Sequence, residues 1–150
     1  MDISYYKSPI GILKISCNNK ELISLKLVEK VELPTSTSDF IKDIKIQLDE
    51  YFSGLRKTFD INTNPHGTEF QKRVWTALNN INFGETRSYS EIAGIIGKKN
   101  AQRAVGSACN KNPIMIIIPC HRVVSKTGEL GGFAYGISVK QKLLRIENNT

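Results

Sequence analysis

The chain has 150 residues, of which 40% are apolar and 23% charged, the mix of a soluble globular protein with one or two small domains. No apolar run nears the ~18–20 residues that cross a bilayer, and the opening MDISYYKSPIG lacks the basic patch and apolar stretch of a secretory signal. The net charge of +7 is uneven, with nine acidic and nine basic side chains in residues 1–62 but five and twelve in residues 63–150; a basic half points to a polyanion, nucleic acid first, although a Lys-rich solvated surface gives the same count.

Residues 3–28 predict strands. Leu13, Ile15 and Cys17 alternate with polar residues, as do Ile23, Leu25 and Leu27, and Ser8-Pro9-Ile10-Gly11 and Asn18-Asn19-Lys20 supply turns. Glu32–Ser38 is polar and holds Pro34, so a loop is expected. Phe40, Ile41, Ile44, Leu48, Tyr51 and Phe52 then fall at helical spacing, with Ser38 or Asp39 to cap the helix and Gly54 to end it. Asn62-Thr63-Asn64-Pro65-His66-Gly67 is the expected linker, giving domains 1–62 and 63–150; His66 reads as a surface residue.

A capping box, Thr68-x-x-Gln71, opens the second part. Phe70, Val74, Ala77, Leu78 and Ile81 make one helical stripe, and Trp75 and Phe83 read as packing residues. Ser88-x-x-Glu91 is a second capping box, before a short helix expected to turn Ile92, Ala93, Ile95 and Ile96 inward. After Gly97-Lys98-Lys99, Asn100 can cap a helix over Ala101–Asn110 with Ala101, Ala104, Val105 and Ala108 inward. Two short helices about a Gly turn describe a helix-turn-helix, or an ordinary helical hairpin. Arg103, Gly106, Ser107 and Asn110 face away from the core, small enough in part for close approach to a phosphate chain or groove.

Asn112-Pro113 stops that helix, and Ile114–Ile118 reads as a strand buried on both faces. It runs into Pro119-Cys120-His121-Arg122-Val123-Val124, which places a thiol beside an imidazole and a guanidinium. A base or positive charge raises the thiolate fraction, and the thiolate is the nucleophile. In regular strand geometry Cys120 and His121 would point to opposite faces, so cooperation needs a bend or a bridging water. The plain alternative is a buried inert cysteine beside a structural histidine. Three cysteines are an odd number, which speaks against a disulfide framework and for a reducing cytosol; Cys17 and Cys109 read as small apolar fillers. Two histidines and no C-x-x-C pair argue against a metal site.

Taken together, these strings resemble the O6-alkylguanine-DNA alkyltransferase (methylated-DNA–protein-cysteine methyltransferase) family. The resemblance runs through Thr68-Glu69-Phe70-Gln71 with Val74-Trp75, Gly84-Glu85-Thr86-Arg87-Ser88-Tyr89, Arg103-Ala104-Val105-Gly106, Asn112-Pro113, Pro119-Cys120-His121-Arg122-Val123 and Leu143-Leu144-x-x-Glu147. Residues 1–62 resemble the family's N-terminal domain mainly through Ser8-Pro9-Ile10-Gly11.

The resemblance implies a small N-terminal α/β (ribonuclease H-like) domain and a mostly helical C-terminal domain with the helix-turn-helix. It implies Cys120 as alkyl acceptor, His121 as the base acting through a water, and Glu147 as the carboxylate that orients His121. Asn112 would tie the helix-turn-helix to the active-site segment, and Tyr89 would help rotate the nucleotide out and donate a proton toward the guanine. Arg103 would fill the gap in the base stack, and Tyr89, Ala104, Gly106, Ser107 and Asn110 would join it against DNA. Met115, Val123 and the Gly131-Gly132 loop with Phe133, Ala134 and Tyr135 would line the alkyl pocket. The implied partner is double-stranded DNA carrying alkylated guanine, entered through the minor groove by a cytoplasmic monomer with no cofactor and no membrane contact. Attack on an sp³ carbon leaves a thioether, so each molecule would act once. A binding module without transfer, or a cysteine hydrolase, are the alternatives.

Overall fold

The computed structural model describes residues 1–32 and 34–148; Leu33, inside the expected loop Glu32–Ser38, lies outside them. No described helix is long and apolar enough to cross a membrane. The chain forms two compact units, Met1–Pro65 and a second that begins at His66.

In the first unit, strands β1 (Asp2–Ser8), β2 (Gly11–Asn18) and β3 (Glu21–Val28) form an antiparallel meander in that order. The β2–β3 hairpin turns on Asn19 and Lys20, both at positive φ, as a two-residue primed turn requires. A register shift at Ser16/Cys17 breaks the alternation, so Ser16 is buried along with Leu13, Ile15 and Cys17. Helix α1 (Asp39–Phe52) is capped by the Ser38 hydroxyl and packs beside β1, burying Ile41, Ile44, Leu48 and Tyr51. Asn62 and Asn64 hydrogen-bond the backbone of Leu22, so this stretch lies along β3.

The second unit is mostly helical. Both capping boxes form: Thr68 with Gln71 opens α2 (Glu69–Leu78), and Ser88 with Glu91 opens α3 (Tyr89–Ile95). Helix α4 (Gln102–Asn110) follows, and α5 (Ile137–Asn148) closes the described chain. Two residues of β4 (Arg87–Ser88) pair in parallel with β5 (Val123–Val124), so the start of α3 is registered against the segment after Cys120.

Four local expectations are corrected. Ile95 is 61% exposed, because the last turn of α3 carries it out of the core that holds Ile92, Ala93 and Ile96. Asn100 does not cap α4: it sits at φ 69°, and Ala101 occupies the cap without a side-chain bond. Ala104 is exposed rather than core, leaving Val105, Ala108 and Cys109 as the inward face. Ile114–Ile118 is not a strand. The Ile118 amide returns to the Ile114 carbonyl, Ile117 bonds Met115, and Ile116 takes φ 72°, a strained value for a β-branched residue. An apolar run shows burial; it does not separate a strand from a buried turn.

Candidate active site

The turn at Ile114–Ile118 is held from one side by Asn112. Its Oδ1 accepts the amide of Ile114 at 2.9 Å and its Nδ2 donates to the carbonyl of Ile118 at 2.8 Å, satisfying groups a sheet would otherwise have paired. The chain then enters one short turn of tight helix, Cys120–Arg122, rather than a strand. The bend that lets neighbouring side chains share a site is thereby built in. Cys120, His121 and Arg122 are all buried there, against α2 and α5.

His121 Nε2 lies 2.6 Å from Glu147 Oε2 on α5. Burial works to raise the Glu147 pKa, and the hydrogen bonds from His121 and Arg122, with the permanent charge of Arg122, outweigh it, bringing it down to about 2. An ionised carboxylate only accepts, so Nε2 carries the proton and Nδ1 is the bare nitrogen. Nδ1 is buried and has no hydrogen-bond partner in the protein. Burial lowers the His121 pKa, against the opposing pull of Glu147 and with Arg122 and Lys140 adding to the decrease, so the ring is neutral at rest. Burial also raises the Cys120 thiol, while the Asn112 side chain, Lys140 and nearby backbone N–H groups act to lower it. The site therefore holds a protonated thiol next to a neutral base, with groups placed to favour the thiolate once it forms.

Tyr89, the first residue of α3, borders the same space. Burial first, then Cys109 and Cys120, push its pKa to about 12, so it is a proton donor. Gly131, at φ 71°, approaches it so closely that an added Cβ would lie 3.0 Å from the phenol oxygen. Gly106 of α4 faces the other side of the ring. Phe133 and Tyr135 meet edge to face, 5.9 Å between centroids, and both are half-buried. Burial first, and then a charge on Cys120, raise the Tyr135 pKa. Met115 and Val123 are fully buried, whereas Ala134 is exposed. On α4, Arg103, Ala104, Ser107 and Asn110 are exposed, on the face opposite Val105 and Ala108.

Comparison with known proteins identifies the family. Residues 1–65 match the family model of the 6-O-methylguanine DNA methyltransferase ribonuclease-like domain, and residues 69–149 match that of its DNA binding domain. The chain belongs to the methylated-DNA–protein-cysteine methyltransferase family. Its relatives of that name include one from Methanosarcina mazei, 48% identical over 149 residues, covering 95% of this chain and 94% of the relative. Another, from Mycobacterium tuberculosis, is 43% identical over 147 residues, covering 95% and 89%. The crystal structure of the Mycobacterium tuberculosis O6-methylguanine methyltransferase superposes with a TM-score of 0.90 at 41% identity, covering 99% of this chain and 93% of that one. That of Mycobacterium tuberculosis OGT in complex with DNA gives 0.92 at 41% identity, covering 99% and 94%.

The burial of two charges beside this methyltransferase site was missed in the sequence. Lys140 of α5 is 0% exposed; its Nζ donates to the carbonyls of Val123 at 2.6 Å, Leu130 at 2.5 Å and Gly132 at 3.2 Å. Three acceptors require three N–H groups, so the amine is an ammonium even though burial lowers its pKa, with Cys120 and Cys109 pulling the other way. It lies over the rings of Tyr89 at 5.8 Å and Phe133 at 6.0 Å. The signal was its spacing: Lys140, Leu143 and Glu147 share one face of α5. Arg122 reads from the sequence only as a neighbour of the thiol; its bonds to Glu147 depend on the fold.

Proposed function

We propose that this chain repairs alkylated DNA by direct reversal, moving the alkyl group from O6 of guanine, or O4 of thymine, to Cys120. The observation that carries this reading is Cys120 in a tight turn beside the His121–Glu147 hydrogen bond, with His121 Nδ1 left as the accepting nitrogen. His121 takes the thiol proton through a water. The sulfur attacks the alkyl carbon, a carbon–sulfur bond forms, the carbon–oxygen bond breaks, and the electron pair returns to the base. Tyr89 stands as donor toward the departing guanine, and Asn112 holds the turn that presents the sulfur. The thioether has no easy route back, so each molecule acts once.

A lesion inside a duplex must leave the stack before a buried sulfur can reach it. Helix α4 serves as the reading helix in the minor groove: Ala104, Gly106, Ser107 and Asn110 approach the backbone, and Arg103 fills the space vacated. Met115, Val123, Phe133, Ala134 and Tyr135 form the alkyl pocket. Residues 1–62 contribute no catalytic group, residues 63–150 carry DNA binding and transfer, and the protein acts as a cytoplasmic monomer.

Intact mass after incubation with duplex DNA containing O6-methylguanine tests the reading. One added methyl per chain, absent in Cys120→Ala while DNA binding persists, is expected. Binding without mass gain would indicate a recognition module, and transfer by Cys120→Ala would remove Cys120 as acceptor.

A further inference from the structure

Arg122 follows the base in sequence and is buried with it. Its Nε donates to Glu147 Oε1 at 2.8 Å and its Nη2 to Oε2 at 3.1 Å, while Nη1 donates to the carbonyl of Ile81 at 2.6 Å. Oε2 is also the oxygen that meets His121 Nε2 at 2.6 Å. One carboxylate oxygen is thus shared by a guanidinium and an imidazole. A fork bonded to both oxygens and anchored at its third nitrogen fixes the carboxylate plane, and its charge is permanent.

A fixed positive charge opposes protonation of a neighbouring ring and dilutes the pull of the carboxylate between them. The charged groups acting on His121 are Glu147 and Lys140 from α5 and Arg122 from its own turn, with the Cys120 thiol its neighbour in the chain. The other helix on that turn, α2, buries only Val74, Trp75, Ala77 and Leu78. Glu147 favours the imidazolium; Arg122 and Lys140 disfavour it.

We propose that Arg122 is a positioning residue that acts on His121 both through Glu147 and by its own charge: it aligns the carboxylate with His121 Nε2, takes part of its charge and opposes protonation of the ring, making His121 a weaker base than Glu147 alone would make it. No bond of the transfer is made or broken on Arg122. The inference rests on His121 being the base in the transfer; its consequence is that Arg122 sets the pH at which the site becomes reactive.

The test is the ring titration of His121, followed by NMR in carbon-13 histidine-labelled full-length protein, beside the rate of methyl transfer against pH. Arg122→Gln should raise the His121 pKa by about one pH unit and move the acid limb of the rate profile up with it. Arg122→Lys keeps the charge but loses the fork, so it should slow transfer at every pH and leave the limb near wild type. A purely structural role would slow both variants and shift neither limb; an unshifted titration in folded Arg122→Gln overturns the proposal. Because Arg122→Gln leaves Glu147 without its cation and can unfold the protein, Glu147→Gln is compared with Arg122→Gln/Glu147→Gln, in which no buried charge is stranded. His121 should titrate higher in the double variant than in Glu147→Gln, and equal values also overturn the proposal. The titration is read without any transfer. A shifted ring with an unshifted rate profile would instead reject His121 as the base.

Discussion

The ammonium of Lys140, buried on α5, is bonded to the carbonyl of Val123, two residues past His121. The same group reaches Leu130 and Gly132, so one side chain joins the strand after the nucleophile to the loop that closes over Tyr89.

Lys140→Met keeps most of the volume and removes the charge. Three carbonyls lose their donor, and that of Val123 is the most deeply buried. The expected cost is about 1–3 kcal/mol of stability, since water can satisfy the two loop carbonyls but not the inner one. Transfer should slow by more than the binding of DNA weakens, because the thiolate loses a nearby cation. Melting temperature, amide exchange across residues 130–133 and single-turnover rates check this; an unchanged rate with a loosened loop would restrict Lys140 to structure.

Acid should destabilise the second unit from two groups with the same sign. Glu147 falls from its ordinary 4.5 to about 2 in the fold, so its contribution is complete above 4.5 and is lost as pH drops toward 2. His121 is held below its ordinary 6.5, so the unfolded chain takes up that proton first and stability declines once pH passes under 6.5. Denaturation curves between pH 7 and 3 should show both phases, and Glu147→Gln should flatten the lower one. Glu147→Gln should also lower the transfer rate by more than DNA affinity, with an altered pH profile, since the ring loses its acceptor.

Arg103→Ala should impair repair of duplex DNA more than reaction with the free alkylated base. An exposed side chain on α4 matters as a filler only where there is a stack to hold open. Equal losses on both substrates would count against that role, and a loss of affinity alone would mark an ordinary phosphate contact.

Tyr135→Gly should speed reaction with O6-benzylguanine while leaving reaction with methylated DNA nearly unchanged. Tyr135 stands half-buried against Phe133, and in the proposed alkyl pocket a benzyl group would need that space. About 1.4 kcal/mol of steric relief corresponds to a tenfold rate gain. No gain with the glycine would move the size limit elsewhere, to the fully buried Met115 for instance.

The sequence made some features legible and hid others for physical reasons. Capping boxes are local, so Thr68/Gln71 and Ser88/Glu91 were readable as written and formed as expected. Cys120 and His121 stood out because a thiol and an imidazole adjoin in one short string, whereas a site role for Asn112 came only with the family resemblance. The turn at Ile114–Ile118 did not, because its curvature comes from the Asn112 side chain capturing two backbone groups, an event that leaves no periodic trace. Arg122 and Lys140 stayed hidden because basic residues are expected at the surface. Their burial depends on acceptors at Glu147, Ile81, Val123 and Leu130, most of them distant in sequence.

Gly67 has no chemistry of its own, yet an added Cβ would fall 2.5 Å from the Trp75 ring. That indole in turn donates to the carbonyl of Ala108 at 2.9 Å, near the end of α4. A single methyl group at position 67 would push the tryptophan, and through it tug on α4, the helix proposed to enter the groove. A mutational screen scored by repair would flag this residue beside Arg103, as though it touched the nucleic acid. What it controls is the seating of the helix proposed to do so.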